Sequence, residues 1–221
     1  MLSKQQSQTT GANMNKTKLS IATSMAAILV SPTANAIDSS ANIALNSEYI
    51  FRGQPQTMGN PTISGGFDLG WKGAFIGMWA SEVDYGDDLA DLEVDLYGGY
   101  GYEWQDVSVG YTYVDYNYNG DSSLNGVEHQ FSLSYKDLGL LHVVGDEGFV
   151  DYSEITYTLP VVGLDISWGT WDTIGDNWSI SKSFEIYEGL EGTLQYIQFH
   201  GDASIQNERN LVFSLSKSIN W

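Results

Sequence analysis

The sequence predicts an all-β protein, a transmembrane antiparallel up-and-down β-barrel of the outer-membrane type. Three observations predict it. Apolar and polar residues alternate with period 2 from about residue 42 to the last residue. The connections between the alternating segments are short and long in turn. The N-terminal stretch has the make-up of a secretory leader. Composition excludes other classes. None of the 221 residues is cysteine, so disulfide scaffolds and cysteine-ligated zinc are ruled out. Lys+Arg is 9 against Asp+Glu 28, a net charge of −19 that repels phosphate and excludes a nucleic-acid partner. Aromatic residues at 13% argue against disorder.

The leader comes first. Asn15-Lys16-Thr17-Lys18 is basic, Leu19 to Val30 is mostly apolar, and Ser31 to Ala36 ends in the small-residue site Ala34-Asn35-Ala36. That order is a signal peptide cut after Ala36. The apolar stretch is too short, and too rich in Ser, Thr and Ala, for a membrane-spanning helix. Residues 1–36 are therefore read as leader, with 1–13 either an extended basic region or upstream of a start at Met14. Residues 37–221 form the barrel. Removing Lys4, Lys16 and Lys18 leaves 6 basic against 28 acidic residues, a net charge of −22.

Twelve strands are expected, at about 41–52, 61–71, 74–84, 92–104, 107–116, 127–135, 140–145, 150–159, 164–171, 178–187, 193–200 and 209–221. The first alternates Ile43, Leu45, Tyr49 and Phe51 with Asn42, Asn46, Glu48 and Arg52. The fourth alternates Leu92, Val94, Leu96, Tyr100, Tyr102 and Trp104 with Glu93, Asp95, Gly99, Gly101 and Glu103. The sixth sets Val127, His129, Phe131, Leu133 and Tyr135 against Glu128, Gln130, Ser132 and Ser134. Successive strand side chains point to opposite faces, so each segment has an apolar and a polar side. Segment 140–145 is short and weak, which leaves ten strands as the alternative. The glycines at 98, 99 and 101 have no phosphate-loop context and mark bends or close approach in the wall.

Loop lengths and aromatics favour lipid over a soluble sandwich. Lys72-Gly73 and Gln105-Asp106 are tight turns, whereas 53–60, 85–91 and 117–126 are longer; this places both termini on the periplasmic side. Tyr49, Phe51, Trp71, Phe75, Tyr102, Trp104, Tyr111, Tyr113, Trp168, Trp178 and Trp221 gather near strand ends, where amphipathic rings form membrane girdles. Phe213, Leu215, Ile219 and Trp221 run in phase to the terminus, the pattern of the insertion signal read by the barrel assembly machinery. Lys182 and Lys217 break the pattern, since both fall in the apolar phase. A Lys facing lipid at the midplane costs about 2–4 kcal/mol, less near an interface. Lys217 lies near the rim and snorkels; Lys182 calls for a bulge or a different register.

Residues 47–100 carry a family resemblance. Ser47-Glu48-Tyr49-Ile50-Phe51-Arg52-Gly53, then Gln56-Thr57, Pro61, Gly65-Gly66-Phe67-Asp68, Trp79-Ala80-Ser81, Val83-Asp84, and Asp95, Tyr97 and Gly99-Tyr100 resemble the TorF-type porin family of proteobacterial outer-membrane proteins. The resemblance implies a barrel and a pore-like role, and implies no particular solute.

The polar phase of the first four strands holds Glu48, Arg52, Asp68, Glu82, Asp84, Glu93 and Asp95. Strand direction sets Arg52, Glu82, Asp84, Glu93 and Asp95 near the outer mouth. One guanidinium among four carboxylates reads either as a brace for the wall or as a cation-selective entrance. The expected function is passive diffusion of small polar solutes, favouring cations, by a monomer or trimer in outer-membrane lipid. The alternative is a non-conducting structural or adhesive barrel acting through its loops, with a lumen plugged by Tyr and Arg side chains. An enzyme reading needs a Ser–His contact oriented by a third group, and no local motif for one is present among His129, His142 and His200. No cofactor is implied. Asp87, Asp88 and Asp91 form an acidic loop whose spacing fits no EF-hand.

Overall fold

The computed structural model describes residues 37–221 apart from 87–89, 147 and 203. The leader, Asp87 and Asp88 thus lie outside the described residues. Among the described residues there are fourteen strands: β1 (Asp38–Asn46), β2 (Ile50–Phe51), β3 (Gln54–Pro55), β4 (Thr62–Trp71), β5 (Ala74–Glu82), β6 (Leu92–Trp104), β7 (Val107–Tyr118), β8 (Gly126–Tyr135), β9 (Leu138–Asp146), β10 (Tyr152–Leu159), β11 (Leu164–Trp171), β12 (Gly175–Tyr187), β13 (Leu190–Gly201) and β14 (Glu208–Asn220). Twelve of them close an antiparallel barrel in which sequence neighbours pair and β1 joins β14. The closing seam runs from Ser40 opposite Asn220 to Asn46 opposite Ser214, and Trp221 and Ser39 extend it through backbone hydrogen bonds. Closure leaves no sheet edge with unpaired amides, which is what a lipid environment demands of strands. The weak segment at 140–145 is a full strand, β9, paired with β8 and β10, so the barrel has twelve strands and not ten.

One end of the barrel carries tight turns and both barrel termini; the other carries the longer loops. At the turn end, Lys72-Gly73 and Glu188-Gly189 both have positive φ throughout, the geometry that matches the twist of a two-residue hairpin. The outward face is apolar. Ile43, Leu45, Ile63, Ile76, Met78, Leu96, Leu211 and Phe213 are all exposed on it. On a soluble monomer such a continuous patch would be anomalous; against lipid it costs nothing. Trp71, Tyr102, Trp104, Tyr135, Tyr157 and Trp221 ring the turn end on the outside. The packed core lies inside the barrel near the loop end, in two clusters. Tyr49, Trp79, Val83 and Ala90 form one. Val143, Tyr152, Trp171 and Phe199 form the other.

Two expectations change here. The first strand was expected to run to residue 52; it leaves the wall after Asn46. Residues 47–61 turn back into the lumen, and β2 and β3 form a separate hairpin there. Tyr49 and Phe51, expected on the outer face, are consequently inside, packed in the core clusters. Lys182 does face outward, with no bulge at its position; the register shift of β12 lies at Glu185/Tyr187. Its Nζ donates to the Val162 carbonyl of the turn between β10 and β11 at 3.1 Å. The long stem covers the wall while the charge reaches the rim.

Candidate functional site

The infolded hairpin builds the site. Arg52 and Gly53 occupy its tip with φ of 47° and 91°, two left-handed residues as a tight two-residue turn requires. Gly53 is needed for space as well. A Cβ there would lie 2.8 Å from Asn177 Cβ and 3.1 Å from Phe199 Cβ. The base of the hairpin is held by its own polar groups. The Gln56 amide donates to the Tyr49 carbonyl (2.8 Å), and the Tyr49 amide to Thr57 Oγ1 (3.1 Å). The next loop braces it: the Asp84 amide donates to the Gln56 carbonyl (2.8 Å), and the Tyr85 hydroxyl to Gln56 Oε1 (2.6 Å). Tyr49 packs edge-on against Trp79 with ring centroids 5.4 Å apart. Phe51 contacts both core clusters and so ties the hairpin across the lumen.

At the tip, Arg52 is 4% exposed and meets Glu128 of β8, which is fully buried. The pair is bidentate: one terminal nitrogen donates to Oε1 at 2.7 Å and the other to Oε2 at 2.9 Å. Glu128 Oε2 also accepts from the Tyr116 hydroxyl (2.9 Å) and from Gln130 Nε2 (2.9 Å). The guanidinium carbon sits 4.5 Å from the Tyr152 ring centroid and 5.2 Å from that of Trp171. Tyr152 donates to Glu154 Oε2 at 2.9 Å. Gly169 makes room for it, since a Cβ there would lie 2.0 Å from the Tyr152 hydroxyl. Trp171 Nε1 donates to the Arg52 carbonyl at 3.4 Å. Burial alone would pull the guanidinium's pKa down; the facing Glu128 carboxylate more than reverses this and holds Arg52 above the ordinary arginine value. Desolvation is costly for both ions, and the hydrogen bonds on the remaining lone pairs are what make such a pair tolerable.

The residues singled out in the sequence fall into three groups. Glu93, Asp95 and Asp68 point inward from the wall and are buried. Glu93 Oε2 and Asp95 Oδ1 have no hydrogen-bond donor among the described residues. Asp68 accepts from Ser40 (3.2 Å) and from the Tyr97 hydroxyl. Glu48 and Asp84 lie in loops, not in the wall. Glu48 Oε1 accepts the Gly59 amide at 2.9 Å, and Asp84 Oδ2 accepts from Asn60 at 3.2 Å. Burial, opposed by that Gly59 hydrogen bond and helped by nearby Glu208, raises the Glu48 pKa. Glu82 is a correction: it points outward from β5, in phase with Ile76 and Met78, because Trp79 and Ser81 take the inward positions. The partner of Arg52 is likewise corrected: among the described residues its carboxylate is Glu128, not the expected set of Glu82, Asp84, Glu93 and Asp95. Phe213, Leu215, Ile219 and Trp221 all lie on the outward face of the last strand and its end, and Trp221 packs near Phe67.

In the sequence Glu128 is one polar residue among several in its strand. Its inward phase was visible; its pairing with a residue 76 positions away was not. Among the described residues, Arg52 is the only basic side chain inside the barrel, since Lys182, Arg209 and Lys217 are outward and Lys72 and Lys136 are in turns. Among the described residues, His142 Nδ1 lies 3.0 Å from Ser153 Oγ on the outward face. Among the described residues no third side chain hydrogen-bonds His142 to orient it, as a nucleophile–base pair would need.

Comparison with known proteins places the fold. A structure solved in work on in-meso crystallization of membrane proteins is similar, with TM-score 0.56 at 10% identity over 83% of this chain and 84% of that one. The KdgM porin is similar with TM-score 0.51 at 9% identity over 82% of this chain and 98% of that one. At these identities the likeness is of fold alone, a closed antiparallel β-barrel. The search of curated proteins found no match. A family model described as "bacterial protein of unknown function" (Gcw_chp) matches residues 31–145, more than half of the chain, and the protein belongs to that family.

Proposed function

We propose that the protein is an outer-membrane channel for small polar solutes, favouring cations, with its bore governed by the infolded hairpin. The observation that carries this reading is the lumen itself. Asp68, Glu93, Asp95, Glu128 and Glu154 point inward against one arginine, and the outward face is apolar. A low-dielectric wall lined with one sign of charge concentrates counter-ions and rejects co-ions. The likeness of fold to a porin supports it, as does the resemblance of residues 47–100 to TorF-type porins. The loop end then faces outward from the cell and the turn end faces the periplasm. Glu93 and Asp95, buried below the mouth, carry the selectivity through the field they set along the path and not by direct contact with solutes; Arg52 sets the constriction. The last strand is the segment recognised for membrane insertion.

A second reading has a specific observation behind it. Arg52, Tyr116, Tyr152, Trp171 and Phe199 pack together across the loop end of the lumen. A barrel closed in this way would act through its loops, as a structural or adhesive element. Planar-bilayer recording of the refolded protein across a KCl gradient separates the two. Discrete steps with a cation-selective reversal potential support the channel, and Glu93→Gln with Asp95→Asn then weakens that selectivity. A protein that inserts and shows heat-modifiable gel mobility but never conducts supports the closed barrel. Anion selectivity would keep the channel and discard the acidic lining as its filter.

A further inference from the structure

The surroundings of Arg52 have the make-up of a receptor for a planar cation. Four wall strands supply it: Tyr116 from β7, Glu128 from β8, Tyr152 from β10 and Trp171 from β11. The group it holds comes from elsewhere, from a hairpin whose two strands pair with each other and not with the wall. The carboxylate is set independently of that group, since Tyr116 and Gln130 both donate to Glu128 Oε2 at 2.9 Å. Both oxygens face the two terminal nitrogens of the guanidinium, at 2.7 and 2.9 Å. Aromatic faces at 4.5 and 5.2 Å complete the enclosure. A fork matched to two oxygens and stacked on rings selects guanidinium over ammonium, which offers only a compact point charge.

We propose that Arg52 is an internal ligand in a guanidinium-recognition site, and that solutes carrying a guanidinium group compete with it for Glu128, Tyr152 and Trp171. The inference rests on the channel reading for its physiological meaning, since it names the solute class that would open the constriction. Exchange keeps the contacts that simple loss of Arg52 would forfeit. If Arg52 left without replacement, Glu128 would remain buried and unpaired, a heavily disfavoured state; a solute guanidinium restores the same contacts. The acidic lumen draws such cations toward the site.

The test uses the refolded protein and three probes at equal ionic strength: guanidinium at millimolar concentration, agmatine and methylammonium. In Arg52→Ala, thermal unfolding is expected at a lower temperature than in the unaltered protein. Guanidinium and agmatine should recover most of that loss and methylammonium should not. Arg52→Ala with Glu128→Gln should show no recovery. Should Arg52→Ala fail to refold, bilayer recording of the unaltered protein takes its place: agmatine should raise conductance where methylammonium does not. Equal responses to all three cations in these measurements would overturn the proposal. The stability readout needs no current, so the two readings fail separately. Guanidinium-specific recovery in a protein that never conducts keeps the site and discards the channel. Conduction without discrimination among the cations keeps the channel and discards the site.

Discussion

At the scale of single residues, Glu128 decides more than any other side chain. It neutralises the one arginine or lysine that lies inside the barrel among the described residues and accepts from Tyr116 and Gln130 as well. Glu128→Ala leaves a buried guanidinium without its carboxylate, a change that costs about 3–5 kcal/mol where a buried pair is broken. The hairpin should leave its seat, read as new protease cleavage between residues 50 and 56 in the refolded protein. Gly53→Ala attacks the same seat through shape. It combines a φ of 91° with a Cβ 2.8 Å from Asn177 Cβ, so some atom must move. A cost of about 1–3 kcal/mol is expected from a non-glycine residue held in a sparsely populated conformation. It is measurable as an earlier unfolding transition in detergent. The motif Tyr49-Ile50-Phe51-Arg52-Gly53 was readable as a family resemblance, but its role was not: a strand-like alternation concealed a turn that points the arginine inward.

At the scale of elements, the hairpin is the part that separates an open bore from a filled one. Replacing residues 50–56 by a short Gly-Ser linker removes Phe51 and Arg52 from the lumen while leaving all twelve wall strands. Conductance in KCl should rise well above that of the unaltered protein, and unchanged conductance would refute a role for the hairpin in the constriction. The latch should also resist alkali. Arg52 has its folded pKa raised above the unfolded value, so the stabilisation it brings is fully present below the unfolded pKa and is lost only as pH rises through the folded one. An arginine stays protonated across the ordinary alkaline range, so cleavage within the hairpin should not increase up to about pH 11 for this reason. The wall strands themselves were legible because each repeats one period over eight or more residues. The hairpin was not, because Glu48 to Arg52 continue the alternation of the first strand and hide the turn between the two-residue strands β2 and β3.

At the scale of the whole molecule, closure depends on the last strand meeting the first. Ser39 and Trp221 exchange backbone hydrogen bonds of 3.4 and 3.1 Å at the seam, and Ser39 Oγ donates to the Trp221 carbonyl at 2.9 Å. Deleting Trp221 removes this end contact and the terminal aromatic of the outward row. The shortened protein should fold into lipid vesicles more slowly, followed by the shift to heat-modifiable gel mobility; an unchanged rate would remove Trp221 from the insertion signal. The net charge of −19 over the full sequence is unevenly used. Some acids face water on the loops, such as Asp84 and Asp91, while Glu93, Asp95, Glu128 and Glu154 are buried inside. Composition reports their sum and says nothing of that division.

The barrel was legible from the chain alone: its strand number to within the weak segment at β9, its turns, its outward face and the shared turn end at which its first and last strands meet. Each of these follows from local rules, the two-residue period of a strand and the geometry of a tight turn, which neighbouring residues obey together. What fills the lumen emerges only from the folded barrel. The partner of Arg52 lies 76 residues away, and the rings around it come from strands that meet it only once the barrel has closed. Pairing across a closed wall depends on register and on the path of one infolded segment, and neither leaves a periodic trace in the chain.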